Sequence, residues 1–413
     1  METNIELLTD RVATEQPKAQ LGSLLVKNYN ESQGVLTMPD FDAELYEGST
    51  TFEPENLFAP ELDQDPVLSL REVIGSEGIY NVTVLMIGDT EYLFGRWVQT
   101  AAPNGKPDAG PLVMARLDSD RNIVATSEVW HPEGQDVLIE DPRARQTTSG
   151  KTIIGVTLVR TSEGNKAYPG YMELSSAEQL LTEPFPVTRI IDKFGSGNQA
   201  APVGGEVEGK NSTTIDEKLL MYRPDGMNHT LQVLDCSQPE AVHVGFIDFP
   251  KNIPGASYKI GTTTPPEWIN DHEAFFIIHG IDKTIDGQIV DPDSEDPRVV
   301  YEYSISTARL VRTEDENGKP VFTVDNISSR PIITPDSCPK PSGDRQVELH
   351  PELRRVTYSC GGKPKWDENG QLVGVELFVN QGDMRTLAAT ISTEPIIANW
   401  DRSLPNPSLK LAA

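Results

Sequence analysis

Short runs of strand-forming residues recur along most of the chain, and this repetition limits the fold more than any other feature. Examples are "YNVTVLMIG", "KTIIGVTLVRT", "EAFFIIHGI" and "GVELFVNQG", which alternate with clusters of turn-forming residues. Long amphipathic helical patterns are missing from the sequence. Many short strands between turn signals predict an all-β sandwich, barrel or propeller. With this many strands in one chain of 413 residues, we favour a propeller, whose blades present loops to a central axis.

The chain divides into three parts by composition. Residues 1–65 are polar and acidic with scattered prolines, which predicts an N-terminal extension that wraps around the outside. Residues 66–405 are predicted to form the propeller, and residues 406–413 a tail whose final "KLAA" resembles an expression-vector remnant. Within the propeller, residues 195–214 ("GSGNQAAPVGGEVEGKNSTT") are rich in Gly and small residues and predict a mobile loop.

The charge and the cysteines narrow the classes of partner and compartment. A formal net charge of −28 repels nucleic acid and anionic membranes, so we expect neither as a partner. The three cysteines, Cys236, Cys338 and Cys360, match no zinc or redox spacing and favour a reducing, cytoplasmic setting. No signal peptide and no apolar run long enough to span a bilayer is evident. A cationic site in so acidic a chain would have to be built locally.

Polar and charged residues stand at the ends of several predicted strands, where side chains are positioned well. The candidates are Asn81, Arg96, Asp141, Arg143, Arg223, Lys259, His279, Tyr301, Tyr303 and Asp383. Singly, each is more often a turn residue, a solvated cation or a core histidine than a functional group. Together they have a chemical logic, because one carboxylate suits acid catalysis. Arg, Lys and His beside it suit the binding of an oxyanion or phosphate.

The stretch "IEDPRA" is the most informative of these segments. Asp141 before Pro142 is ordinary turn chemistry, because proline biases the preceding residue to an extended conformation. The alternative is that Asp141 is a carboxylate held rigidly at the mouth of a β fold.

These segments resemble glycoside hydrolase family 130, the β-mannoside phosphorylases and related mannosidases. The similarity runs with gaps from about Gly78 to Thr390. It rests on "IYNVTVLMIGDTEYLFGRW", "IEDPRA", "LLMYRP", "YKIGTTTPPEWINDHEAFFIIHG", and, in the closing region, "NISSRPIITP", "LRRVTYSCGG" and "ELFVNQGDMRTLAAT". One departure is "VNQGD", where the family usually has Tyr-Gly-Ala-Ala-Asp. The resemblance implies a five-bladed β-propeller with an N-terminal extension.

The resemblance also implies a role for each candidate residue. Asp141 would be the catalytic acid, its proton relayed through a mannose hydroxyl as proposed for the family. The residues that would position mannose are Asn81, Arg96, Arg143 and Asp383. Those that would hold phosphate are Arg223, Lys259 and His279, with Tyr301 or Tyr303, and with Lys210 of "EGKNSTT" matched to a further basic residue of the family.

The implied reaction is inverting phosphorolysis. A β-1,2- or β-1,4-manno-oligosaccharide and inorganic phosphate would give α-mannose 1-phosphate and a shortened acceptor. Phosphate is already an anion and needs no base, so one carboxylate and a cationic site suffice. No metal or organic cofactor is expected, and inorganic phosphate is the co-substrate. Because members of the family are often oligomers, the resemblance also allows a homo-oligomer.

Three alternatives stay open at this point. An inverting β-mannosidase that uses water would need a second carboxylate, for which Glu140, Glu267 and Glu302 are the candidates. A sugar-binding propeller could have kept the fold and lost turnover. A structural or interaction propeller would leave Asp141 and the basic residues scattered over the surface.

Overall fold

The computed structural model describes residues 57–98, 110–147, 149–193, 207–237, 241–339, 355–383 and 385–401. Their strands form five small sheets of antiparallel strands, which confirms the all-β, five-bladed β-propeller. In this part of the chain the helical segments are short: one α-helix at Glu394–Ala398 and 3-10 turns at Ala177–Leu181 and Pro335–Ser337. None of these described helices is long and apolar enough to cross a membrane.

The sheets follow one another along the chain. The strand β1 (Val67–Glu72) precedes the first complete sheet and belongs to the last one. The first sheet contains β2 (Ile79–Ile87), β3 (Thr90–Trp97), β4 (Leu112–Leu117) and β5 (Ile123–Trp130). The second contains β6 (Val137–Gln146), β7 (Thr152–Arg160), β8 (Lys166–Leu174) and β9 (Arg189–Ile190). The third contains β10 (Gly209–Thr214), β11 (Leu219–Pro224), β12 (Thr230–Asp235) and β13 (Val242–Asp248).

The fourth sheet is the largest. It contains β14 (Lys259–Thr262), β15 (Glu267–Trp268), β16 (Glu273–Ile285), β17 (Gln288–Ile289), β18 (Val300–Glu314) and β19 (Pro320–Asp325). The fifth contains β20 (Thr357–Trp366), β21 (Leu372–Gln381) and β22 (Arg385–Ser392). There β1 pairs with β22, so one sheet joins strands from both ends of the described chain.

The core lies between neighbouring blades. All nine residues of β7 are buried, because that strand is covered on both faces. A strand in such a position reads as a nearly continuous apolar run, and "TIIGVTLVR" does. Side chains from the first sheet, including Leu85 and Phe94, pack in one cluster with Ile139, Ile154 and Leu158 of the second.

The innermost strands of the first three blades carry the same irregularity. The pairing register shifts between Tyr80 and Thr83, between Glu140 and Arg143, and between Lys210 and Thr213. The first of the two residues inside each shift has a left-handed backbone, with φ of 49° for Asn81, 52° for Asp141 and 62° for Asn211. Asn and Asp adopt this conformation more readily than other non-glycine residues. A bulge of this kind re-aims the side chain, here in the same way in three blades.

One expectation about the chain is wrong in part. Residues 209–214 are not part of a loop but form β10, whose residues are buried except for Lys210. The Gly-rich composition therefore describes only what precedes this strand, and residues 194–206 lie outside the described residues. Most of the predicted extension, residues 1–56, and the tail, residues 402–413, lie outside them as well. Residues 57–59 pair with Ile327 of the fourth blade region.

Candidate active site

Asp141 lies at the centre of a cluster of polar side chains from several blades. Asn81 Nδ2 donates a hydrogen bond of 2.7 Å to Asp141 Oδ1, and the Tyr358 hydroxyl donates one of 3.3 Å to Oδ2. Arg96 Nη1 lies 3.8 Å from Asp141 Oδ1, and its Nη2 lies 3.5 Å from Glu140 Oε1. The carboxylate is thus held by strands β2, β3, β6 and β20. The turn reading of "IEDPRA" does not describe this residue, which is buried within β6.

A group of acids surrounds Arg96. Burial raises the pKa of Asp383 to about 6, although Arg96 and a hydrogen bond from Asn380 oppose the rise. The negative charges of Asp141 and Glu140 add to the increase. Asp383 has a left-handed φ of 51°, as Asn81 and Asp141 do. This side of the site offers carboxylate acceptors and one shared guanidinium, a set suited to sugar hydroxyls.

Arg143 is completely buried and ties this cluster together. Its Nη1 donates a 2.9 Å hydrogen bond to the backbone oxygen of Asp141. Its Nη2 contacts the Tyr358 hydroxyl and lies 3.4 Å from Asn211 Oδ1. Its two Nη groups therefore serve neighbouring protein groups, and its predicted contact with sugar stays a prediction.

Arg223 has a buried guanidinium donor that is not satisfied by the described residues. Burial lowers the pKa of its guanidinium, and Tyr303, Tyr358 and the carboxylate of Asp225 oppose this effect without cancelling it. Among the described residues, its Nη1 is buried and has no hydrogen-bond partner. Arginine stays protonated in proteins, so a buried positive charge with a free donor remains. Such a group is stabilised by an anion that enters the site.

His279 lies beside this cation as a neutral ring. Burial, followed by the charges of Arg143 and Arg223, holds the pKa of His279 well below its usual value. Its Nδ1–H donates to the backbone oxygen of Thr262 over 3.1 Å. That assignment leaves Nε2 as an acceptor, and Asn211 Nδ2 lies 3.4 Å from it. In the free protein the positive charge on this side therefore comes from arginine and lysine.

The two predicted tyrosines occupy different positions. Tyr303 stacks on His279 with the ring centres 6.4 Å apart, and burial raises its pKa to about 12. Tyr301 is 45% exposed, and its ring centre is 5.6 Å from that of Tyr258. Tyr303 therefore belongs to the cluster around His279 and Arg223, and Tyr301 lies at its edge.

Lys259 makes a cation–π contact with Tyr258. Its Nζ lies 4.6 Å from the centre of the Tyr258 ring, and Lys283 Nζ lies 4.5 Å from the same ring. Two ammonium groups share one tyrosine, a cation–π arrangement that positions both. Lys210 has an exposed side chain and lies opposite Arg223 in the register of β10 and β11.

The three carboxylates considered as a second acid or base are placed differently. Glu140 is next to Asp141 and is paired with Arg96. Glu302 is paired with Arg355 at 2.5 Å. Burial raises the pKa of Glu267. Glu267 lies beside Arg145, which is near the C-terminal end of β6, beyond Asp141. Within the described ranges, no three His, Cys, Asp or Glu side chains are grouped so that they could hold a metal ion.

Asn211 and Tyr358 belong to this cluster but were not among the candidates predicted from the sequence. Asn211 follows the Gly-rich stretch, and Tyr358 lies in "VTYSCGG" among ordinary strand residues. A signal for Asn211 was present, because "NST" repeats the Asn-x-Thr spacing of Asn81 and Thr83 at the same bulge. The segment "LRRVTYSCGG" that contains Tyr358 resembles the closing region of the family, but the sequence assigns this tyrosine no role.

Comparisons with known proteins agree on the architecture. No protein-family model matches the chain, and no curated protein sequence does either. Among solved structures, a glycosyl hydrolase from Bacteroides ovatus matches with a TM-score of 0.51 and 10% identity, over 82% of this chain and 94% of that one. A β-1,2-mannobiose phosphorylase from Listeria innocua matches with a TM-score of 0.50 and 11% identity, over 84% and 98%. The resemblance to glycoside hydrolase family 130 is therefore confirmed at the level of the fold, which this chain shares with a β-1,2-mannobiose phosphorylase and a glycosyl hydrolase.

Proposed function

We propose that this chain is an inverting phosphorylase of β-mannosides. It would convert a β-1,2- or β-1,4-manno-oligosaccharide and inorganic phosphate to α-mannose 1-phosphate and a shortened acceptor. The observation that carries the proposal is the buried, unpartnered Nη1 of Arg223, which shares Tyr358 as a neighbour with Asp141. Asp141 as proton donor and Arg223 as anion-binding group would then lie on two sides of Tyr358.

In this mechanism Asp141 gives a proton to the glycosidic oxygen as the bond to the anomeric carbon breaks. Asn81 and Arg96 fix the carboxyl group through the contacts of 2.7 Å and 3.8 Å. Asp383 and Arg96 would bind mannose hydroxyls beside it. Arg143, which holds the Asp141 backbone, would position mannose through that residue.

Phosphate would attack the anomeric carbon from the face opposite the leaving group, which inverts its configuration. Arg223 would bind two phosphate oxygens with its planar guanidinium, and Lys259 would add a point charge. His279, Tyr303 or Tyr301, and the exposed Lys210 would complete the phosphate contacts. His279, bonded to Thr262, and Tyr303, stacked on His279, have fixed positions without phosphate, which supports electrostatic stabilisation of the transition state by this part of the site.

A β-mannosidase that uses water is the second candidate. One observation favours it: Asp383 lies close enough to Asp141 for their charges to interact, and its pKa of about 6 suits a general base at neutral pH. An inverting hydrolase needs two carboxyl groups about 6.5–9.5 Å apart. The free cation at Arg223 has no role in that reaction, and for this reason we favour phosphorolysis.

The test follows product from β-1,2- and β-1,4-mannobiose with and without inorganic phosphate. Mannose 1-phosphate that forms only when phosphate is present would support the proposal and identify the linkage. Free mannose at the same rate under both conditions would establish the hydrolase instead. Binding of mannobiose without either product would leave a sugar-binding propeller.

A further inference from the structure

Tyr358 links the acid side of the site to the phosphate side. It lies on β20 of the fifth blade and is buried. Its hydroxyl reaches Asp141 Oδ2 at 3.3 Å and Asn211 Oδ1 at 3.1 Å. Its ring meets the His279 ring edge to face, with the centres 4.6 Å apart, and the Tyr303 ring at 6.4 Å.

The direction of the hydrogen bonds leaves one proton on this hydroxyl to give. Arg143 Nη2 can only donate, so the Tyr358 oxygen accepts from it. The hydroxyl hydrogen is then directed to Asp141 or to Asn211. Burial also raises the pKa of Tyr358 well above its usual value, which keeps the hydroxyl protonated at neutral pH.

Phosphorolysis has a proton balance that such a group can serve. Phosphate enters largely as hydrogen phosphate and leaves as the dianion of a sugar phosphate, since the last ionisation of a phosphate monoester lies near pH 6. The acceptor leaves as an alcohol with one additional proton. Overall, phosphate loses one proton and the leaving oxygen gains one, and these protons are exchanged either with solvent or through groups that connect the two sides.

We propose that Tyr358 carries a proton between the two sides, a role that rests on the proposed function. The P–OH proton of phosphate moves to the Tyr358 oxygen, and the Tyr358 proton moves to Asp141 Oδ2. Asp141 in turn supplies one proton to the leaving oxygen. Phosphate loses one proton, the acceptor gains one, and both side chains end as they began.

The experiment compares two leaving groups in the wild type and in Tyr358→Phe. The first substrate is β-1,2-mannobiose, or β-1,4-mannobiose if the wild type cleaves that one. Its leaving group is a sugar alcohol whose oxygen must be protonated. The second substrate is 2,4-dinitrophenyl β-mannoside, whose leaving group is a stable phenolate anion that needs no proton. The relay predicts that Tyr358→Phe lowers kcat for mannobiose at least about 10-fold more than kcat for the aryl mannoside. The matched control is Tyr168→Phe, which removes another buried hydroxyl, bonded to Glu163 away from the site, and should leave that ratio unchanged.

Equal losses of both rates would overturn the relay, as would no change in either rate. A Tyr358 that only positions Asp141 would also slow mannobiose selectively, so a second measurement is needed to separate positioning from proton transfer. A wild type that makes no mannose 1-phosphate in the presence of phosphate would overturn the proposed function and the relay with it. That second measurement is the dependence of wild-type kcat on the deuterium content of the solvent, which also serves if Tyr358→Phe does not fold. A curved dependence for mannobiose indicates several protons in transfer, and a linear one overturns the relay.

Discussion

Asn81 Nδ2 donates a 2.7 Å hydrogen bond to Asp141 Oδ1, and both residues have a left-handed backbone at the same bulge of neighbouring blades. The backbone aims the two side chains at one another, and the hydrogen bond then fixes the carboxyl group. Asp141 is therefore a fixed group of β6, although Asp before Pro alone would predict a turn.

Replacing Asn81 separates these two contributions. Asn81→Gly and Asn81→Ala both remove the amide, so we expect a similar fall of about 10-fold in kcat. Only alanine is strained at a φ of 49°, so its free energy of unfolding should be about 1 kcal/mol lower than that of the glycine variant. Urea unfolding and steady-state kinetics measure the two effects. Full activity in Asn81→Gly would mean that the amide does not hold Asp141.

Asp141→Asn should lower kcat by about 100-fold or more, because the proton donor is lost. The variant should stay folded, since asparagine has the same shape and tolerates a left-handed φ. Phosphate-dependent turnover of mannobiose and the circular dichroism spectrum check the two statements. Glu140→Gln is the control at the adjacent position and should lose less activity. Equal losses in both variants would contradict the assignment of the acid to Asp141.

Inorganic phosphate should raise the Tm of the wild type, because it supplies the anion that Arg223 lacks. A ligand that binds only the folded state at 100 times its Kd stabilises that state by about 2.7 kcal/mol. Arg223→Met should lose most of this increase while its Tm without phosphate is unchanged or higher, since an unpaired buried charge is removed. Differential scanning fluorimetry across a phosphate titration measures it. Equal shifts in wild type and variant would place phosphate elsewhere.

Lys259→Ala should raise the KM for phosphate more than the KM for mannobiose. Its ammonium group is positioned over the Tyr258 ring and adds a charge that only the anion needs. Initial rates with each substrate varied in turn separate the two constants. Lys365→Ala, which removes an exposed lysine on β20, is the control and should change neither. An equal increase in both constants would argue that Lys259 is structural.

Asp383 should make both stability and sugar binding depend on pH. Its pKa is about 6 in the folded protein and near 3.8 in the unfolded chain, so the folded state retains a proton between these values. The contribution of Asp383 to the free energy of unfolding is therefore fully present below pH 4 and is lost as the pH rises through 6. Mannoside binding should strengthen over the same range, as the ionised carboxylate becomes a better acceptor. Asp383→Asn should abolish both dependences, and a variant with the wild-type pH profile would contradict them.

The sequence predicts the propeller well because its strands are marked locally. Runs such as "EAFFIIHGI" and "GVELFVNQG" become β16 and β21, since a buried strand is apolar along its length. The cluster of Asp141 and Asn81 was predictable from motifs at strand ends, together with the resemblance to a family.

The missed residues share a different cause. Tyr358 acts through contacts with Asp141 and Asn211, which are 217 and 147 positions away in the chain. No local pattern reports so distant a partner. Asn211 was hidden by the composition of the residues before it, because Gly-rich chain and buried strand meet without a turn signal between them.

Because β1 pairs with β22, the fifth blade can be completed only after the end of the described chain has been synthesised. Asp141 and its neighbours on the second blade meet Tyr358 only when the fifth blade closes the ring, and that blade is incomplete until Arg385–Ser392 has been synthesised. During synthesis the first two blades therefore carry Asp141 with Asn81 and Arg96, but without Tyr358. If the proposed function holds, the site is complete only once β22, the last strand of the described chain, has paired with β1, and we expect a chain truncated before it to be inactive.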